Sequence, residues 1–244
     1  MNAVKQRLLT PPSPPRSYSH ARWQLQRKIL RFLITAIGHT LLVKMDAVTG
    51  LENVPQQGSA LLMINHIAFV DPIMVLNVLP RNVVPMAKIE VYDLPFIGIF
   101  PRLWGVIPVH REELDRRAIQ QALAVLRAGE ILLIAPEGTR SPQLQTGKEG
   151  VAYLASRTAS PIVPVAVEGS PGFPAFRTSP RWRGPGVAIH FGKPFHFRPD
   201  LTRPDRTQLR QMTDEAMYIL AALLPEHRRG VYADLSRATR QTIA

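Results

Sequence analysis

From residue 47 onward the chain is written as short apolar runs separated by amphipathic stretches, and that alternation decides the class of fold. SALLMIN (59–65), NVVPMAK (82–88), ILLIAPEG (131–138), PIVPVAVEG (161–169) and GVAIHFGKPF (186–195) have the length and composition of strands. VTGLENVPQQG (48–58) reads as a strand and a turn. Between these runs lie helical patterns: PIMVLNVLP (72–80), RRAIQQALAVLRAGE (116–130), EGVAYLASRTAS (149–160) and RTQLRQMTDEAMYILAALL (206–224). Gly129 ends the second of them. Strands alternating with helices predict an α/β fold with a mixed, largely parallel sheet flanked by helices. At 244 residues the chain has room for one substantial domain with a core that needs no staples.

The chain ahead of this domain divides in two. Residues 1–20 contain TPPSPPRSYSH and read as a flexible Pro-rich arm without the layout of a secretory signal. Residues 21–46 change character: Trp23, Leu25, Ile29, Leu30, Phe32, Leu33, Ile37, Leu41 and Leu42 give a helix with a broad apolar side. Arg22, Arg27, Lys28 and Arg31 gather at its front end, and the apolar run between Arg31 and His39 is too short to span a bilayer. The expectation is a helix lying in a membrane interface with its arginines toward anionic headgroups. The competing reading is a helix that caps the core.

There are 30 Lys and Arg against 18 Asp and Glu, a net charge of +12, so the partner is expected to be anionic. Nucleic acid fits poorly, because the basic residues are scattered and aromatic residues make up only 7% of the chain. Cysteine is absent, which excludes disulfides, thiolate metal sites and a cysteine nucleophile.

In open α/β sheets ligands bind outside the carboxyl ends of the strands. Those ends carry Asn65-His66, Lys88 and Pro136-Glu137-Gly138-Thr139-Arg140-Ser141. His66 and Asp71 stand five residues apart, about 140° around a helix axis, so they do not share a helical face. They meet if His66 sits in a turn and Asp71 opens the next helix, an arrangement that Pro72 favours. Asp71 would then hold Nδ1–H and leave Nε2 free to take a proton from a hydroxyl. The alternative is an ordinary helix start beside a satisfied loop histidine. Gly138 permits a tight turn, and Arg140 and Thr139 offer donors to a phosphate. Arg111, at the end of Gly105-Val106-Ile107-Pro108-Val109-His110-Arg111, reads by itself as an exposed edge arginine that could also meet an anion. There is no serine elbow, P-loop, H-E-x-x-H or dinucleotide fingerprint. Direct attack by a bound hydroxyl on an activated acyl donor is therefore simpler than a protein nucleophile.

Taken together and in order, these pieces resemble the glycerolipid acyltransferase family that includes the 1-acylglycerol-3-phosphate acyltransferases. The family blocks are N-H-x-x-x-x-D, G-x-x-x-x-x-R, E-G-T-R-S and an apolar block with a central proline. They appear as Asn65-His66…Asp71, Gly105…Arg111, Glu137-Gly138-Thr139-Arg140-Ser141 and Ile162-Val163-Pro164-Val165. The resemblance covers roughly residues 45–195 and implies a glycerol-3-phosphate acyltransferase-like catalytic domain over 47–244.

The resemblance also implies roles. His66 is the general base on the acceptor hydroxyl and Asp71 orients it. Lys88, Arg111, Glu137, Gly138, Thr139 and Arg140 shape the phosphate and glycerol pocket, with Glu137 ordering neighbouring arginines and backbone amides. Pro164 lies on the acyl-donor side. The implied donor is a thioester, acyl-CoA or acyl carrier protein, with no metal or redox cofactor. The acceptor is a lysophospholipid, specifically 1-acylglycerol-3-phosphate at its free sn-2 hydroxyl. The implied place is peripheral or monotopic on the cytoplasmic face of an anionic membrane; the apolar stretch 94–100 reads equally as a second docking element or as core packing. Ala68 and Pro108 depart from residues common in the family, which leaves another lysolipid as acceptor open. A non-catalytic lipid-binding protein on the same fold also remains an alternative.

Overall fold

Strands form where the sequence concentrates its apolar runs, because residues buried on both faces of a sheet need no polar alternation. The computed structural model describes residues 18–95, 97–110 and 115–244. Most of the Pro-rich arm, Phe96 and Arg111 lie outside them. The strands are β1 (Met45–Thr49), β2 (Ala60–Ile64), β3 (Val83–Lys88), β4 (Ile107–Val109), β5 (Ile131–Ile134), β6 (Ile162–Glu168) and β7 (Val187–Phe191). They form one seven-stranded sheet in the order β1-β7-β6-β2-β5-β3-β4. Every neighbouring pair is parallel except β6 and β7.

The helices are α1 (Gln24–Leu33), α2 (Asp71–Val78), α3 (Ile99–Trp104), α4 (Arg116–Arg127), α5 (Gly150–Thr158) and α6 (Arg206–Ala222). Alternate strand residues serve two separate cores. Leu61 and Met63 of β2 join Leu132 of β5 and pack under α4, α5 and α6. Ala60, Leu62 and Ile64 join Ile131 and Leu133 and pack under α2 and Trp104 of α3. The predicted α/β class and the main strands and helices are those observed.

Crossovers place the site. β2 leads through α2 to β3, passing over β5, and β5 leads through α5 to β6, passing over β2. The carboxyl ends of β2 and β5 are thereby neighbours, with Met63 opposite Ile134. Asn65, just past β2, ties that edge to β6. Its amide donates to the Val167 carbonyl at 2.9 Å and accepts from the Val167 N–H at 2.7 Å. A side chain thus completes the ladder where the backbone of β2 turns away. Pro164 is buried inside β6. Its carbonyl accepts from the Gly192 N–H at 2.8 Å, just beyond the end of β7, and the return bond is the one a proline does not give.

The N-terminal segment departs from expectation. α1 continues as a π-helical stretch, Ile34–Leu42, and the sheet already begins at Met45, inside the segment 21–46. The arginines do not face outward as a group. Arg27 is 1% exposed; its Nε donates to the Trp104 carbonyl at 2.8 Å and its Nη1 to the Tyr18 hydroxyl at 2.8 Å. Arg31 Nη1 donates to the Leu79 carbonyl at 2.8 Å, and its Nη2 to the Arg81 carbonyl. Both guanidinium groups lie over the Trp104 ring. The reason is helix ends: Trp104 closes α3 and Leu79 follows α2, and terminal carbonyls without intrahelical partners attract cationic donors. With its arginines turned inward, α1 exposes Leu25 (68%), Ile29, Phe32 (70%) and Leu33. Gly105 caps α3 at φ 75°, and a Cβ there would lie 2.7 Å from the Trp23 ring.

Asn65→Ala leaves both Val167 backbone groups without partners at a buried strand end. It is expected to lower the unfolding free energy by about 2 kcal/mol, read from urea unfolding followed by circular dichroism.

Candidate active site

The turn 65–71 is built around one carboxylate oxygen. Asp71, fully buried at the start of α2, accepts through Oδ2 from the Ile67 and Ala68 N–H groups, each at 2.7 Å. The same oxygen lies 3.1 Å from His66 Nδ1. Pro72 follows in the first helical turn, as the sequence predicts. The His66 side chain is 17% exposed, with Nδ1 held by the buried carboxylate.

The β5 end closes on this turn. The Ser141 N–H donates to the His66 carbonyl at 2.8 Å. Glu137, only 5% exposed, accepts from the Gln145 N–H at 2.8 Å and faces the backbone N–H of His66. Burial pushes its carboxyl up to about 7, against the opposing pull of those two amides. Glu137 therefore orders backbone amides, and its partners among the described residues do not include an arginine. Gly138 sits at φ 70°, and the Lys148 ammonium lies over it, 3.3 Å from where a Cβ would be. Thr139 and Arg140 are exposed, and Arg140 has no ion pair or side-chain hydrogen bond among the described residues.

The arrangement holds an imidazole whose Nδ1 meets a buried carboxylate, on a turn closed by the loop that exposes Arg140 and Lys148. That is the equipment of hydroxyl activation on an anionic substrate. Residues 47–168 match the family model described as Acyltransferase. The chain belongs to the acyltransferase family. A 1-acyl-sn-glycerol-3-phosphate acyltransferase of Borreliella burgdorferi is 34% identical over 130 residues, 52% of each chain. Its Bacillus subtilis namesake is 29% identical over 165 residues, 67% of this chain and 80% of that one. The chain thus spans about half the length of the first relative (52%). The fold also matches a crystal structure of a 1-acyl-sn-glycerophosphate acyltransferase from Thermotoga maritima. The TM-score is 0.55 at 23% identity, over 80% of this chain and 76% of that one.

Within the acyltransferase, not every residue expected at the site gathers there. Lys88 ends β3, separated from β2 by β5, and pairs at 3.0 Å with the exposed Glu90. Arg111 lies outside the described residues. The sequence reading missed three contributors. Lys148 reaches back over Gly138 from the far arm of the loop. Gln145 supplies a backbone N–H, for which side-chain chemistry gives no signal. Arg228 arrives from near the C-terminus, donating to Glu168 at 2.9 Å and to the Pro142 carbonyl at 2.9 Å. A groove of about 730 Å³ between α6 and the C-terminal turns, lined by Arg210, Tyr218 and Tyr232, does not include His66. The site is assigned to the His66 turn on chemistry, not on concavity.

Glu137 gives a pH signature. A carboxyl whose folded pKa is raised from 4.5 to about 7 keeps its proton in the fold after the unfolded chain has lost it. Stability is then expected to fall as pH rises from about 4.5 to 7 and to level off above. Glu137→Gln should remove that slope in urea titrations across the same range.

Proposed function

We propose that this acyltransferase moves a fatty acyl group from a thioester donor, acyl-CoA or acyl carrier protein, to the sn-2 hydroxyl of 1-acylglycerol-3-phosphate, giving phosphatidic acid. The observation that carries the proposal is the His66–Asp71 contact beside the unpaired Arg140. The names of the Borreliella and Bacillus relatives agree with this acceptor.

Asp71 accepts Nδ1–H, so Nε2 is the basic nitrogen. It takes the proton of the acceptor hydroxyl as the oxygen attacks the thioester carbonyl carbon. The new C–O bond forms, the C–S bond of the tetrahedral intermediate breaks, and the departing thiolate recovers the proton from the imidazolium. Asp71, unprotonated throughout, stabilises the positive charge that the imidazolium bears during the step. A thiolate is a good leaving group, so the reaction calls for no group beyond the two substrates. Arg140, with Arg111 as a further candidate outside the described residues, meets the acceptor's phosphate. Gly138 allows the turn that brings Thr139 and Arg140 to it.

The acceptor and product reside in a bilayer, and no helix among the described residues is long and apolar enough to cross one. The docking element of the proposal is the outward apolar side of α1 and the π-helical stretch, with Ile37 and Leu41 about half exposed. It continues onto Leu94, Ile97, Ile99 and Leu103. Arg22 and Lys28 remain exposed at its border, toward anionic headgroups.

His66→Ala is expected to cut kcat about a thousandfold with an unchanged circular-dichroism spectrum, measured as thiol release from acyl-CoA and lysophosphatidic acid; retained turnover overturns the base assignment. Arg140→Ala is expected to raise KM for lysophosphatidic acid about tenfold and leave KM for the donor unchanged. Equal KM values for the acceptor would remove Arg140 from the phosphate pocket.

A further inference from the structure

The connection from β6 to β7, residues 169–186, leaves the sheet at the edge where Asn65 holds Val167, the edge that carries His66. It contains three arginines and no acidic residue. One of them builds the loop. Arg181 donates to the carbonyls of Pro171 at 2.7 Å, Pro185 at 2.6 Å and Gly169, and lies 3.9 Å over the Phe173 ring. Phe173 is buried and packs edge-on against Trp182, whose indole N–H donates to the Ala175 carbonyl at 2.7 Å. A turn closed by the Ser179 N–H on the Phe176 carbonyl forms the tip.

On this braced platform Phe176 is 72% exposed, the most exposed of the large apolar side chains among the described residues. A single exposed aromatic is ordinary on a protein surface. Three features set this one apart. It is held out by a loop with many internal bonds. Arg177 follows it directly and Arg183 belongs to the same loop, both exposed and without ion pairs among the described residues. And the loop is joined to the outward apolar surface: the Ala175 N–H donates to the Leu42 carbonyl at 2.8 Å, at the end of the stretch that exposes Ile37 and Leu41.

We infer that the tip of the β6–β7 loop is a second insertion point into an anionic bilayer, with Phe176 entering the acyl boundary and Arg177 and Arg183 meeting lipid phosphates. The inference rests on the proposed membrane docking through α1 and adds to it a contact at the rim of the site. An aromatic flanked by cations matches the chemistry of the interface, where the ring is buried and the guanidinium groups keep anionic partners. A contact at the loop tip, added to docking through α1 and the 94–103 stretch, sets the edge carrying His66 toward the lipid acceptor.

The absence of cysteine makes the test direct. Single substitutions Phe176→Cys, Phe32→Cys and Thr207→Cys in the full chain are labelled with an environment-sensitive nitrobenzoxadiazole and mixed with phosphatidylglycerol vesicles. The expected result is a blue shift and intensity gain at 176 and 32, with no change at 207, which lies on the opposite helical layer. A water-like spectrum at 176 while the probe at 32 enters the bilayer overturns the inference and leaves docking through α1 standing. If neither probe enters, the membrane reading fails and this inference with it. Equal insertion at 176 into purely zwitterionic vesicles overturns the role given to the arginines. As an independent measure, Phe176→Ser is expected to weaken vesicle affinity about tenfold; unchanged flotation counts against the contact.

Discussion

Asp71 Oδ2 is the point on which the site depends. A fully buried carboxylate is tolerable only when its charge is met by donors, and here one oxygen collects two backbone N–H groups and a ring nitrogen. The backbone bonds fold the turn 65–71 into one shape; the ring nitrogen then has one position to occupy. Positioning of the imidazole is thus a by-product of satisfying Oδ2, while Oδ1 is buried without a hydrogen-bond partner among the described residues. The same turn is fixed from two further sides, by Asn65 on β6 and by Ser141 from the β5 loop. Three strands therefore hold the residue proposed as the base, and a helix start alone would not have done so.

The N-terminal helix shows how an amphipathic pattern can mislead about direction. Its cations and its apolar residues are both visible in the sequence, and the ordinary inference sends the cations to solvent or lipid and the apolar side to whatever is dry. Two helix ends reverse this. The carbonyls at the ends of α2 and α3 offer Arg27 and Arg31 better partners than water does, and the Trp104 ring accepts both guanidinium faces. The apolar side is then left outside. Leu25, Phe32 and Ile37 thus form an exposed apolar surface, the one that the proposed membrane docking uses.

Burial divides the loop after β5 into two kinds of residue. Glu137 is withdrawn from solvent and spends its acceptors on backbone amides, which keeps the loop closed over the His66 turn. Thr139, Arg140 and Lys148 stay exposed and face outward from it. A motif read as one polar string is therefore split between a brace and a set of hands, and the left-handed conformation at Gly138 marks the boundary.

What the sequence by itself determined is whatever depends on neighbours along the chain. Apolar runs of strand length, Pro72 at the start of α2, Gly129 after α4 and the His66…Asp71 spacing are local, and the alternation of runs was enough for the fold class. The blocks around Glu137 and Pro164 were legible as motifs for the same reason. Only the tertiary structure decided which way α1 faces, that Lys148 lies over Gly138, that Arg228 reaches Glu168 from 60 residues away, and that Asn65 completes the β6 ladder. Each of these pairs a side chain with a backbone or charged group from a distant part of the chain. The partner is chosen by strand order and by the unsatisfied carbonyls at helix ends, neither of which leaves a mark in local composition.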